Sequence, residues 1–464
     1  MQKPFIAIDL GTNSIKCAVL DLEEMRLRHV FKMLFPSFKT GLPSGYREVE
    51  PAMVIRAVKT AIQRLLHNAP ECKGLVMCSQ MYGLVLTNAA GDPLANIITW
   101  QDERAREKHP NFGRTYFQEM AERTSPQERQ ILGNEFAVNR PLSALFHFAN
   151  RPDAHGNTSA LDGAIPASLP DFVLANLCRT TPTIDVTNAA AHGILNHQTM
   201  DWHHELIAGL RLDHLDWPKI RPIGAVAGIM EIDGKSLPCY MPIGDHQCAL
   251  LGVHLREAEL SINISTGSQV SLITNEFSLL DDIITRPYFE GRFLKTILHI
   301  PAGRSLNLLV RLLTEYSAST GADVSGIWNY IEGAVRQQNT TSLEADIAFF
   351  EGVFGNTGSS RNIQEDNFSI GDLFLAAFEN MAENYEICAK KLSPDNAWEQ
   401  IVFSGGLGLK FEILRNKISQ RLAAKYRLPD AEEDSLNGLL ILALVCAKKF
   451  NTTGDAIAVL RAMN

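Results

Sequence analysis

The sequence predicts an α/β protein built as two duplicated domains around a cleft, and three observations carry that prediction. Apolar, strand-like runs mix with helix-like periodicity from the first residues onward. An apolar strand, a turn of Gly, Thr and Ser, and a returning apolar strand occur once in each half, as FIAIDLGTNSIKCAVL and as ELSINISTGSQVSLI. The length of 464 residues exceeds what one hydrophobic core usually serves. The expected domains are residues 1–240 and 241–464.

The elements follow in order. After the first hairpin, Pro51 suits the opening of a helix that runs to His67, with Val54, Val58, Ala61, Ile62 and Leu65 on one face. KGLVMCS reads as a short buried strand, QMYG as a turn and LVLTN as a further strand. Residues 104–165 read as helix and loop, and QDERAREK reads as a solvated charged face. In the second half, Ser369 and Asp372 open a helix carrying Phe374, Ala377, Met381, Tyr385 and Cys388 at helical spacing and ending on Lys390 and Lys391. QIVFS is a strand that runs into the pair Gly405-Gly406, and SLNGLLILALVCAKK, apolar nearly all round, is a buried helix.

Composition narrows the partners. With 45% apolar and 20% charged residues the chain is ordinary globular protein, and a net charge of −9 without a basic run excludes nucleic acid as a main partner. Eight cysteines form no C-x-x-C pair, so they are expected as small core residues in a reducing compartment rather than as zinc ligands. The opening apolar run is too short for a signal sequence and LLILALVCA too short to cross a bilayer. A cytoplasmic protein without membrane contact is expected, its oligomeric state open, a homodimer included.

Chemistry concentrates in the turns. In Asp9-Leu10-Gly11-Thr12-Asn13-Ser14, with Lys16 on the next strand, Gly11 permits a tight backbone and successive amides and hydroxyls can hold an anion. Asp9 would repel a phosphate unless a divalent cation lay between them, and Mg2+ accepts that mixture of carboxylate, phosphate oxygens and water. A plain hairpin turn is the alternative. Ser265-Thr266-Gly267-Ser268 repeats the pattern in the other half, and Gly405-Gly406 could let a flat base approach the backbone. At GDHQCALLG, Asp245 admits three readings: a helix cap, a metal ligand with His246 and Cys248, or a base that takes a proton from a substrate.

These segments, with SQMYG, TWQDERA and FSGGLG in the same order, resemble the FGGY carbohydrate kinases over nearly the whole chain, and the ketose kinases of the sedoheptulokinase type in particular. The resemblance implies an actin-like ATPase fold of two RNase H-like domains, with ATP and Mg2+ as cofactors. It implies transfer of the γ-phosphoryl group to a ketose, sedoheptulose to its 7-phosphate first, with xylulose, ribulose or another polyol such as glycerol as alternatives. Asp245 then matches the general base and Asp9 the carboxylate near the metal. Gly11, Thr12, Asn13, Ser14 and Lys16 belong to the first phosphate loop and Thr266, Gly267 and Ser268 to the second. Gly303, Asn307, Gly405 and Gly406 fall where adenosine and its phosphates are held. Gln80, Met81, Tyr82, Trp100, Asp102, Arg104, His246 and Gln247 fall on the sugar side.

The sequence departs from the family pattern at Asn13, at Tyr82 where ketose kinases usually carry His, at NRPLSALFHF in place of a lysine motif, and at AGRSLN and SLNGLL. A non-catalytic actin-like ATPase that couples nucleotide state to a partner protein is the rival of another class. It would keep the phosphate loops without needing the sugar-side residues.

Overall fold

Each half of the chain forms a mixed sheet around its hairpin. A computed structural model describes residues 3–110, 113–151, 161–338, 340–429 and 433–463. In the first sheet, Phe5–Leu10 pairs antiparallel with Ser14–Asp21, which pairs antiparallel with Arg26–Leu34. On its other side Phe5–Leu10 pairs in parallel with Leu75–Ser79, which continues in parallel to Lys235–Tyr240 and Ile243–Gly244. The second sheet repeats the plan. Glu259–Ile264 pairs antiparallel with Ser268–Thr274, which pairs antiparallel with Phe293–Ile300, while Gln400–Ser404 and Lys425–Arg427 follow in parallel on the other side. The duplication therefore extends from the hairpins to the whole sheets.

Local chemistry explains the elements that frame the site. Phe5–Leu10 is buried along its whole length, as a central strand covered on both faces must be. The helix Pro51–Asn68 starts on its proline and buries Val54, Val58, Ala61, Ile62 and Leu65 against that sheet, each side chain contributing about 1.5–3 kcal/mol of gross hydrophobic stabilisation. Ser369 and Asp372 form a capping box at the start of Ile370–Leu392, so two otherwise orphaned amides are satisfied reciprocally.

Two helices join the halves. Asp245–Gly252 leaves the first sheet directly after Ile243–Gly244, so the passage between the sheets comes at Asp245. This helix crosses Asp434–Cys446 at backbone contact. A Cβ on Gly438 would sit 2.0 Å from the Cys248 carbonyl oxygen, and one on Gly252 would sit 1.7 Å from that of Asp434. Any larger residue would force the helices apart, so the glycine of SLNGLL is a packing requirement. Both helices bury leucines together with Phe5, Ala7 and Ala18 of the first sheet.

One charged segment, QDERAREK, is solvated only in part: Arg106 and Lys108 are exposed, but two of its charges are interior. Asp102 and Arg104 are 4% and 3% exposed. Arg104 Nε donates to Asp102 at 2.8 Å and Nη2 to Glu48 at 2.7 Å, while its guanidinium lies over the rings of Tyr46 and Phe148. The alternation of charges marked a paired interior cluster, because opposite charges with complete hydrogen bonding can be buried. Of the stretch 104–165, residues 111–112 and 152–160 lie outside the described part. The remainder carries short helices at Tyr116–Glu122, Pro126–Ile131 and Pro141–Asn150.

Candidate active site

Between the two hairpin turns lies a cavity of about 380 Å³ that brings together Thr12, Gln80, Met81, Tyr82, Trp100, Asp245, His246, Gly267 and Ser268 from the sequence-derived set. Asp245 is the first residue of its helix, and Gly244, not Asp245, occupies the cap position. Burial and the nearby Asp9 carboxylate push Asp245 up to about 7, against the opposing pull of the first-turn amides and Arg286. A carboxyl so tuned is poised to exchange a proton near neutrality.

Asp9 sits behind it at the end of Phe5–Leu10, 4% exposed. Its Oδ2 accepts from the Ser435 hydroxyl at 2.6 Å and lies 3.9 Å from Lys16 Nζ. Its Oδ1 is buried with no N–H or O–H partner among the described residues, the Cys78 thiol being only a weak donor to the group. Burial raises the Asp9 pKa, with Ser435 and Lys16 opposing. An unsatisfied carboxylate oxygen beside a second acid suits a hydrated Mg2+, which needs few protein ligands. Lys16 is committed on its other side to Glu433 at 3.2 Å.

The metal reading of Asp245, His246 and Cys248 finds no support in the geometry. Cys248 is fully buried, donating its thiol to the Ser435 carbonyl, and no group of three potential ligands occurs among the described residues.

In the first turn Thr12 is tied into the cavity wall. Thr12 Oγ1 donates to Gln80 Oε1 at 3.2 Å and accepts from the Trp100 indole at 3.1 Å, and Asn139 Nδ2 donates to the Trp100 carbonyl at 3.0 Å. Gly11, Asn13 and Ser14 form the turn itself, closed by Gly11 N–H donating to the Ser14 carbonyl at 3.1 Å.

In the second turn Thr266 and Gly267 are exposed at the tip. Ser268 turns inward, bonded to the Asn263 carbonyl at 2.7 Å and to the Tyr385 hydroxyl at 2.6 Å. Gly303 and Gly405 pack against this hairpin. The Gly303 N–H donates to the Ser265 carbonyl, and Gly405 holds φ of 80° where a Cβ would lie 2.6 Å from the Ile264 carbonyl oxygen. Gly406 has open space at its Cβ position, and Asn307 is exposed on the helix Gly303–Ser319.

Three expected sugar-side residues do not line the cavity: Asp102 and Arg104, paired as above, and Gln247, which is fully buried and donates weakly to the Pro287 carbonyl at 3.4 Å. In their place stand residues the sequence reading gave no role. Arg140 Nε donates to Glu135 at 2.9 Å and its guanidinium lies 3.7 Å from the centre of the Tyr82 ring. Arg286 donates to Glu135 at 2.5 Å, to His246 Nδ1 at 2.6 Å and to the Tyr82 hydroxyl. Because Nδ1 accepts, His246 is the neutral Nε2–H tautomer, and burial and Arg286 hold its pKa well down.

Tyr82 itself has φ of 68°, a strain of about 1–3 kcal/mol that the ring's two arginine partners help to hold. Two signals were present in sequence as departures, Tyr82 for His and NRPLSALFHF for the lysine motif, while nothing in the sequence reading pointed to a role for Glu135 or Arg286.

Comparison with known proteins places this architecture in two steps. The fold is that of the sugar kinases: the structure of gluconate kinase from Lactobacillus acidophilus superposes with a TM-score of 0.84 at 17% identity, covering 98% of this chain and 91% of that one. The family model described as "FGGY family of carbohydrate kinases, N-terminal domain" matches residues 5–252, just over half of the chain, and the chain belongs to that family.

Glycerol kinase 2 of Saccharolobus solfataricus is 24% identical over 303 residues, 63% of this chain and 56% of that protein. For such glycerol kinases the chain spans about half the length of the curated relatives it matches. Sedoheptulokinase of Mus musculus is 23% identical over 459 residues, 89% of this chain and 92% of that protein. No helix among the described residues is long and apolar enough to cross a membrane.

Proposed function

We propose that this protein is an ATP-dependent carbohydrate kinase in which Asp245 takes the proton of an acceptor hydroxyl as that oxygen attacks the γ-phosphorus. The O–P bond forms, the bond to the ADP oxygen breaks, ADP leaves with the electron pair and the proton passes to Asp245. The observation that carries this reading is the position of Asp245 in a cavity lined by many polar side chains between the two hairpin turns. Thr266, Gly267 and the glycines packed beside them would receive the nucleotide. Asp9 would hold Mg2+ through its unsatisfied oxygen, and the ion would neutralise phosphate charge. Gln80, Trp100 and Thr12 offer donors, acceptors and a ring face to a polyol. Among acceptors, the ketoses are the first class and sedoheptulose the first member to try, with xylulose, ribulose and glycerol as alternatives.

The test is ADP release over a panel of C3 to C7 sugars and polyols. Stimulation by none of them would overturn the kinase reading and leave a nucleotide-coupled regulator. Asp245→Asn is expected to lower acceptor-dependent turnover by about 10²–10⁴-fold while ATP affinity changes little; equal loss of both would contradict its role as base. Wild-type kcat/KM should rise with pH through about 7 as Asp245 ionises. The raised pKa contributes stability that is fully present below about pH 4, the unfolded value, and is lost as pH rises through about 7. Thermal melts at pH 8 should therefore show Asp245→Asn at least as stable as wild type.

A further inference from the structure

The acceptor end of the cavity is lined by two guanidinium groups, more positive charge than a neutral polyol requires. Arg140 and Arg286 both line it although they are 5% and 2% exposed. A single carboxylate, Glu135, serves both, and it is fully buried behind them without lining the cavity. The other acid of the lining, Asp245, hydrogen-bonds neither arginine. Two buried cations therefore share one carboxylate partner, an arrangement that favours a second negative charge in the cavity.

The hydrogen bonding says where that charge would sit. Arg286 spends its three nitrogens on Glu135, His246 and Tyr82. Arg140 spends Nε on Glu135 and Nη1 on Asn139 Oδ1 at 2.8 Å, and its Nη2 makes no hydrogen bond to a described residue. The Tyr82 ring holds that guanidinium flat at 3.7 Å, so the open nitrogen is fixed in direction before any ligand arrives. The field extends across the cavity: after burial, Arg140 and Arg286 are the groups that lower the pKa of His299 on the lining. A purely structural role, tying residue 135 to the second-sheet strand Ile284–Pro287, would account for Arg286. It gives no reason for a second arginine on the same carboxylate with an open donor at the cavity.

We propose that Arg140, stacked on Tyr82 and backed by Arg286, is an anion subsite, and that the acceptor is a sugar acid whose end remote from the transferred hydroxyl is a carboxylate. This rests on the kinase reading above and narrows its acceptor class, since a keto sugar oxidised at one end satisfies both. Carboxylates match the planar guanidinium, and the charge-assisted bond fixes which hydroxyl is presented to Asp245.

The experiment measures ADP release by the wild-type protein with chain-length-matched acceptors: neutral ketoses and alditols, the corresponding aldonates and ketoaldonates, and sugar monophosphates. The acids are expected to exceed the best neutral sugar in kcat/KM by about 10- to 100-fold, the factor one charge-assisted hydrogen bond supplies. Arg140→Met should raise KM for the acid by a similar factor with a smaller change in kcat, and Arg140→Lys should restore part of it. Should Arg140→Met fail to fold, thermal protection of wild type by an aldonate but not by its alditol reads the same property.

Preference for a neutral sugar, or for a phosphate ester over the acids, would overturn the carboxylate assignment while leaving the kinase reading intact. So would an equal effect of Arg140→Met on acid and neutral acceptors. Absence of stimulation by every acceptor would be the separate failure of the kinase reading.

Discussion

The two hairpins share one plan and differ both in register and in what surrounds them: Leu10 pairs with Ile15 in the first, whereas Ile264 pairs with Ser268 in the second, so the second turn is one residue shorter. The first ends on Asp9-Leu10, turns through Gly11-Thr12-Asn13 and resumes at Ser14; the second ends on Asn263-Ile264, turns through Ser265-Thr266-Gly267 and resumes at Ser268. Counted from the end of the first strand, Asp9 corresponds to Asn263. The acid is buried against Ser435 and Lys16 with one oxygen unsatisfied, whereas the amide of Asn263 donates to Ser404 across the parallel pair at 2.9 Å and accepts from Ser265 at 3.0 Å. Thr12 is tied into the cavity wall through Gln80 and Trp100, and its counterpart Thr266 stands exposed. One scaffold thus occurs twice, with a buried acid in the first copy and a hydrogen-bonded amide in the second, and the proposed function assigns the metal side to the first and the phosphate tip to the second.

That division can be broken in graded steps. Asp9→Asn, which makes the first hairpin like the second, should have the largest effect, a loss of turnover of about 10²–10³-fold from removal of fixed charge stabilisation. Because Asp9 is one cause of the raised Asp245 pKa, the acid limb of the residual pH profile should also move to lower pH. An unchanged limb would show that the two acids do not communicate.

Asn263→Asp, the reverse exchange, should raise KM for ATP by about 10-fold or more by opposing phosphate and breaking the Ser404 bond, with acceptor KM little altered. A change confined to acceptor KM would refute the allotment of phosphate to this turn. Smallest is Gly405→Ala, where φ of 80° and contact with Ile264 predict a stability loss of about 1–3 kcal/mol in denaturant melts. Gly406→Ala, with open space around it, is the control for stability in the same melts.

Much of this site was readable in the sequence because its backbone chemistry is local. Gly, Thr and Ser between two apolar strands announce a hairpin turn, and an acid opening an apolar helical run announces a residue held at a surface. Cys248 as core and the helix from Pro51 follow from the same periodicity. Asp102 and Arg104 misled because pairing, which decides whether charges are solvated or buried, depends on Glu48, Tyr46 and Phe148 from other segments.

The sequence alone determined the α/β class, the repeated hairpins and their turns, since each rests on near-neighbour spacing and side-chain chemistry, while the roles expected of Asp9 and Asp245 rested on the family resemblance. Tertiary structure decided the rest. It brought Glu135, Arg140 and Arg286 to one wall from segments as many as 151 positions apart, tied Thr12 into the cavity wall and set the proton affinity of Asp245. Those properties depend on burial and on charges brought together across the chain, which no local pattern encodes.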